Sequence, residues 1–299
     1  MTALTARTGT VRQGRGTALW LLLPSLVLLV IAYLIPLVVV IRMAFSVPSA
    51  SGLPHGGFTL GSMTQAFTDP YYWQVIGTTL LISVLVALFT TVVAYPIALL
   101  LVSVRPATSN LLMALAIAPM LTSSVARTFG WTIMLGNKGV VNALLGVFGL
   151  GPIPFMGSIG GIVIALVEIY VPYAVLTMTS GFGRVSGQLK VAAQTLGARP
   201  WTAFRRITLP LSMPGVAVAF MLVFVLSLSA YVTPRIMGGG RIFVLATEIY
   251  NEATVTVNWP MAASLSVLLF ALFGVLTLLI ALVRRVLSLS GSHVAEEER

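Results

Sequence analysis

Six long, mostly apolar runs dominate the chain, at 19–41, 75–104, 106–126, 159–182, 207–234 and 253–283, and only Glu168 in the fourth carries a charge. Each reaches the ~20 residues that an α-helix needs to cross a bilayer core. Hydrocarbon offers no partner to a backbone N–H or C=O, so a spanning segment is a helix or part of a closed barrel. These runs are far longer than the ~9–11 residues of a barrel strand. The pattern therefore predicts an all-α, polytopic membrane protein of about six transmembrane helices. The first run follows Arg7, Arg12 and Arg15 as a leader would, but it exceeds the usual apolar region of ~7–15 residues and is read as an uncleaved first span.

Composition strengthens this picture: 58% hydrophobic and 8% charged residues do not describe a water-soluble domain of 299 residues. The net charge of +10 raises the question of nucleic acid, yet its placement answers to a membrane. With six spans and both termini cytoplasmic, Arg7, Arg12, Arg15, Arg105, Arg184, Lys190, Arg199, Arg205, Arg206, Arg284, Arg285 and Arg299 fall inside. Arg42, Arg127, Lys138, Arg235 and Arg241 are left for outer loops or membrane depth, the asymmetry of the positive-inside rule. No nucleic-acid partner is expected; membrane lipid is. The outer segments 42–74, 136–158 and 235–252 carry Gly, Pro and aromatic residues and are read as ordered caps, with 146–154 a re-entrant or surface element. Prolines at 24, 36, 96, 119, 172, 214 and 234 interrupt the spans. The organisation is thus a cytoplasmic tail at 1–18, a membrane domain at 19–285 and a second cytoplasmic tail at 286–299.

One cytoplasmic loop, about 184–212, stands out. Good helix formers from Gly187 run through Ala192, Ala193 and Gln194 into Gly197, as a helix closed by a left-handed residue would. After Ala198 and Arg199, Pro200 opens a second helix, since proline fits a first turn where its missing N–H costs nothing. Along it Trp201, Phe204 and Thr208 share a side while Arg205 and Arg206 face elsewhere, an amphipathic segment at the membrane surface. Small side chains at Ala192, Ala193 and Gly197 admit the close approach of another protein. The bland alternative is an ordinary basic loop.

The spacing resembles the coupling loop of the inner-membrane permeases of binding-protein-dependent ABC importers, in the spermidine/putrescine-type branch. The family pattern is Glu-Ala-Ala, three residues, Gly, nine residues, Ile, one residue, Leu-Pro. This chain keeps Ala192-Ala193, Gly197, Ile207 and Leu209-Pro210, with Val191 in place of the glutamate. Asp69-Pro70-Tyr71-Tyr72-Trp73, Tyr95-Pro96, Ala118-Pro119 with Ser124 to Arg127, Lys138-Gly139, Tyr231 to Pro234 with Gly238-Gly239, and Trp259-Pro260 extend the resemblance over roughly residues 20–285. It implies a type I importer permease bundle with a cytoplasmic coupling helix in the bacterial inner membrane. It also implies a second permease subunit, in this branch a different chain, a cytoplasmic ABC ATPase dimer that binds ATP and Mg, and an extracytoplasmic solute-binding protein. Ala192, Ala193, Gln194, Gly197, Ala198 and Arg199 are the expected docking residues for the ATPase. The cargo is a small polar solute, polyamine-type or related.

No cofactor is expected in this chain itself. It has no Gly-x-x-x-x-Gly-Lys-Ser/Thr loop to cradle phosphates, and no cysteine. His55 and His293 both lie outside the spans, which excludes sites built on buried imidazole and leaves no catalytic or metal-binding residue to name. The pathway candidates are Arg127, Glu168, Tyr231 and Glu248. A carboxylate at the depth of Glu168 needs a partner; it either contacts a cationic solute or pairs with Arg127. Glu248 and Glu252 are read as solvated surface in preference to a vestibule. The rival reading is a self-sufficient secondary transporter or channel for a small cation, which six spans and a buried carboxylate would suit but which needs no docking loop.

Overall fold

The computed structural model describes residues 15–49, 52–182 and 187–294. Arg7, Arg12, Arg184, Arg299, the start of the coupling loop, most of the first tail and 295–299 of the second lie outside the described residues, as do the side chains of Arg15, Lys190, Val191, Arg284 and Arg285. Helices α1 (Arg15–Leu29) and α2 (Ile35–Ala44) join through a widened turn at Val30–Leu34 and supply the span Leu22–Ala44. A two-residue ladder follows, β1 (Val47–Pro48) antiparallel to β2 (Pro54–His55), and then α3 (Gly61–Thr68). The second span is α4 (Pro70–Ser103). It begins before the apolar run because the Asp69 carboxylate accepts the Tyr71 N–H at 2.9 Å and Pro70 occupies the first turn.

The third run is not the continuous span that its composition predicts. Helix α5 (Pro106–Ile117) tightens into a 3-10 turn at Ala118–Leu121, and α6 (Ser124–Met134) leaves at 89°. Pro119 brings no N–H to the helix ladder, and Thr122 and Ser123 take extended backbone, so the helical hydrogen bonding stops there. Among the described residues five helices are therefore long and apolar enough to cross a membrane, and the bent pair of α5 and α6 makes a sixth if it counts as one span.

Helix α7 (Val140–Val147) and the turn after it form one cap: Asn142 accepts the Ile153 N–H and donates to the carbonyls of Gly136 and Ile153, fixing the Gly/Pro-rich stretch 146–154. Then come α8 (Ile159–Gly181) and α9 (Gly187–Thr195). Helix α10 (Pro200–Ala203) continues through a widened turn at Phe204–Thr208 into α11 (Leu209–Leu228), so the fifth span reaches from Pro200 to Leu228. Its apolar run continues to 234, but the helix ends at Leu228. Tyr231 and its neighbours belong to a new corner that starts α12 (Val232–Met237). Helix α13 (Leu245–Thr254) caps the end of the bundle at which α4 begins, and α14 (Trp259–Val294) starts only after 253–258 has closed that cap. Pro96, Pro172 and Pro214 sit inside helices without ending them.

The core is where α4, α8 and α11 meet. Val86, Ala94, Ala165, Leu166, Val175, Met178 and Val223 are buried together. At the end of α8, Gly181 and Gly215 let the α8 and α11 backbones touch: a Cβ on Gly181 would lie 2.6 Å from the Gly215 Cα. Tyr95 and Ser212 hydroxyls bond at 2.9 Å and tie α4 to α11 on the same level. A second cluster of Ala66, Tyr72, Val75, Leu245, Met261 and Leu265 knits α3, α4, α13 and α14 where α4 begins. Many large apolar side chains remain uncovered, Leu26 and Leu28 on α1, Ile31 in the widened turn after it and Val92 on α4 among them. Lipid tails cover such a surface at no cost.

Candidate functional site: a docking knob and a polar cavity

Helix α9 ends as its residues dictate. The Gly197 N–H donates to the Gln194 carbonyl at 3.0 Å and the Ala198 N–H to the Ala193 carbonyl at 3.0 Å, the paired bonds of a Schellman cap. Gly197 has φ +85°, a conformation that a Cβ disfavours, and open space surrounds the position its Cβ would take. Arg199 is extended and Pro200 restarts the helix. The result is a compact knob with Ala192, Gln194, Gly197 and Arg199 exposed and Ala193 and Ala198 half-buried against the turn. Its tip is Leu196, 89% exposed, which motif reading passed over because the family spacing leaves that position free. Trp201 is also exposed and stacks on Phe204, whose other neighbour is Tyr95 in α4, so the knob is seated on the helical core.

The break between α5 and α6 opens a polar cavity of about 750 Å³ among α6, α8, α11 and α12. Its wall carries the hydroxyls of Thr122, Ser123, Ser124, Ser229 and Thr233, the rings of Tyr170, Tyr173 and Tyr231, and Arg127. Helix α8 sets Tyr170 and Tyr173 one turn apart. The Tyr170 hydroxyl donates to the Leu226 carbonyl at 3.0 Å and crosses to α11, while Thr128 and Thr233 hydroxyls bond at 2.9 Å and join α6 to α12. Sequence reasoning singled out Tyr231 but not Tyr173 or the hydroxyl set. The signal for the latter was the Thr122-Ser123-Ser124 step inside an apolar run.

Glu168 and Arg127 form an ion pair, the one ion pair among the described residues: Arg127 Nη1 donates to Glu168 Oε1 at 3.2 Å. The other carboxylate oxygen accepts the Trp131 indole N–H at 3.2 Å. The two side chains are 12% and 34% exposed, Arg127 facing the polar cavity and Glu168 a neighbouring apolar one of about 590 Å³ that also holds Trp131. Removing one partner strands the other. We expect Glu168→Leu to cost about 1–3 kcal/mol, below the loss for a fully buried pair because a third of the glutamate side chain is open. Arg127→Leu combined with Glu168→Leu will cost less than the sum of the two, a non-additivity that thermal unfolding of the four proteins of the cycle measures.

Glu248 is not at the cavity, and neither it nor Glu252 is solvated surface. They are 3% and 9% exposed, held between α13 and α4. The Tyr71 hydroxyl donates to Glu248 Oε2 at 3.0 Å and the Tyr72 hydroxyl to Glu252 Oε1 at 3.2 Å. Arg235, expected beside them, instead lies 5.7 Å over the Tyr250 ring.

Comparison with known proteins agrees with this geometry. Residues 92–288 match the family described as "Binding-protein-dependent transport system inner membrane component". The spermidine/putrescine transport system permease protein PotB of Haemophilus influenzae is 28% identical over 250 residues, covering 83% of this chain and 87% of that one. A crystal structure of a bacterial ABC transporter involved in the import of the acidic polysaccharide alginate contains a chain with TM-score 0.71 and 20% identity, over 90% of this chain and 96% of that chain. The alginate transporter in complex with an alginate pentasaccharide-bound periplasmic protein gives a TM-score of 0.68 at 20% identity, over 88% and 93% of the two chains.

Proposed function

Because this chain belongs to the binding-protein-dependent transport system inner membrane components, the multi-pass permeases of ABC importers, we propose that its polar cavity is one half of a solute passage and its knob the seat for an ATPase. The single observation that carries the reading is the exposed, Schellman-capped turn at Gly197, which closes α9 just before the helix Pro200–Leu228, whose far end walls the cavity. A carrier working alone has no use for such a projection.

In this reading the knob and the arginines beside it, Arg199, Arg205 and Arg206, face the cytoplasm, and both termini lie on that side. Two ATPase copies hold ATP and Mg, and two knobs are needed to engage them, so a second permease completes the passage. Its identity as a different chain follows the spermidine/putrescine-type relatives. A solute-binding protein delivers the cargo at the outer side. That cargo is a small polar solute, polyamine-type or related as the name of the relative indicates. The hydroxyls and tyrosine rings of the cavity suit it, rings offering a π face to an ammonium and hydroxyls replacing water. Arg127, Glu168 and Tyr231 stand at or beside the passage.

The test is recovery of the tagged chain from native membranes in mild detergent, followed by mass spectrometry of what accompanies it. An ATPase, a second permease and a binding protein are expected. Recovery of this chain alone, still moving solute after reconstitution, would overturn the reading in favour of a secondary carrier.

A further inference from the structure

Two carboxyl groups buried side by side with no cation call for an account. Among the described residues no lysine or arginine reaches Glu248 or Glu252 within ion-pair distance. Arg235 of α12 is spent on Tyr250. Helix α4 presents Tyr71 and Tyr72, and Asp69 at its cap adds more negative charge. Helix α3 and the span Trp259–Leu278 of α14 bring no ionisable residue at all. What the pair does make is a clasp. Tyr71 and Tyr72 bond the two glutamates, the Thr256 hydroxyl donates to Glu252 Oε2 at 2.6 Å, and the Leu245 N–H donates to the Thr79 hydroxyl at 2.9 Å. All of these fasten α13 and its end to α4 or to itself.

The other side of α13 reaches the cavity. The Tyr250 ring centroid is 4.9 Å from that of Tyr231, and Tyr231 is part of the cavity wall. Helix α13 is thus the strut between the clasp and the passage. Resting on the reading of the polar cavity as that passage, we infer that Glu248 and Glu252 are positioning residues. They hold α13 so that Tyr250 sets Tyr231 in the cavity wall, and the clasp loosens when the buried Glu248 carboxyl loses its proton beside Glu252.

Both carboxylates ionised would be two like charges out of water with only hydroxyl donors to stabilise them. Burial pushes the Glu248 carboxyl above its ordinary range, and the charge of Glu252 adds to that, against the lowering effect of hydrogen bonds from Tyr71 and Asn251. A carboxyl raised in the clasped form binds its proton more tightly there than in the open form. The clasp is therefore fully formed below the ordinary glutamate value and is lost as pH rises through the raised one.

The chain has no cysteine, so Gln74→Cys on α4 and Thr254→Cys on α13, both exposed positions, accept a pair of spin labels without background. In the complete transporter in lipid nanodiscs, pulsed dipolar spectroscopy should give one narrow distance at pH 5.5. A second distance should grow about tenfold in relative population per pH unit between the ordinary glutamate value and the raised one, and level off above it. ATP hydrolysis stimulated by the binding protein should fall along the same curve. Adding Glu248→Gln and Glu252→Gln, which keep the tyrosine bonds without the charge, should hold the narrow distance at every pH and flatten the hydrolysis profile. A native distance that ignores pH, or a doubly amidated variant that still responds, overturns the clasp. So does a distance change that hydrolysis does not follow. Failure of the passage reading shows separately: alkylation of Ser229→Cys in the cavity with N-ethylmaleimide would then leave ATP-driven uptake intact.

Discussion

Replacing Gly197 with tryptophan should abolish ATP-driven uptake, while the chain still inserts and still assembles with its second permease. Two effects combine. An L-residue at φ +85° carries roughly 1–2 kcal/mol of backbone strain, which loosens the two hydrogen bonds that close α9. A large ring also fills the open space in front of the turn, where the partner surface must come close. A central docking residue is worth about 2–4 kcal/mol, some 30- to 1,000-fold in occupancy of the docked state. Nothing inside the membrane is disturbed, because no side chain lies within 4 Å of the added Cβ. Gly197→Asn is the control: asparagine tolerates the left-handed conformation and is small, so uptake should survive in part. Uptake and hydrolysis by the reconstituted complex, with yield of the assembled complex as the reference, decide the matter. Full activity in the tryptophan variant would remove the knob from the mechanism.

The opposite outcome is expected for Gly181→Leu, which should prevent the protein from accumulating at all. The first carbon of the new side chain would lie 2.6 Å from the Gly215 Cα, a distance that non-bonded atoms do not adopt, and backbone cannot rotate out of the way as a side chain can. Helices α8 and α11 must separate, which opens the contact among Ala174, Val175, Met178 and Ala219 that forms the core toward that end of α8. Overpacking typically costs about 1–3 kcal/mol, and more where backbone meets backbone. Gly215→Ala is the milder case, with its nearest contacts at 3.2 Å, one of them the movable Phe182 ring. Gly274→Leu, on the uncovered face of α14 with nothing within 4 Å, should be neutral. Yield and monodispersity of the three variants in detergent rank them. Equal yields would mean that the α8–α11 crossing is looser than the packing indicates.

What the sequence discloses depends on how local the cause is. The knob was legible almost atom by atom, because a Schellman cap and a proline restart are written in neighbouring residues, Ala193 to Pro200. Spans were legible as lengths of apolar chain, but their ends were not. Asp69 and Pro70 start α4 ahead of its apolar run, and Pro119 stops α5 inside one that continues to Ala126. Composition does not register a hydrogen bond that is missing. The burial of Glu248 and Glu252 had no local sign at all, since the tyrosines that hold them are 177 and 180 positions away. Arg127 and Glu168 were legible as a pair because both were charges in need of a partner at membrane depth. Only the fold could choose between that pairing and a solute contact.

The uninterrupted helix from Pro200 to Leu228 bears on the timing of transport. Twenty-nine residues at about 1.5 Å each make a rod of roughly 44 Å. Its one end is stacked into the knob through Trp201 and Phe204, and its other end runs straight into Ser229 and Tyr231. Between those ends there is no loop to take up slack; the widened turn at Phe204–Thr208 changes the winding, and Pro210 and Pro214 each leave out an N–H bond without ending the helix. A displacement imposed at the base is therefore delivered at the cavity in the same stroke, so the two ends cannot fall out of step.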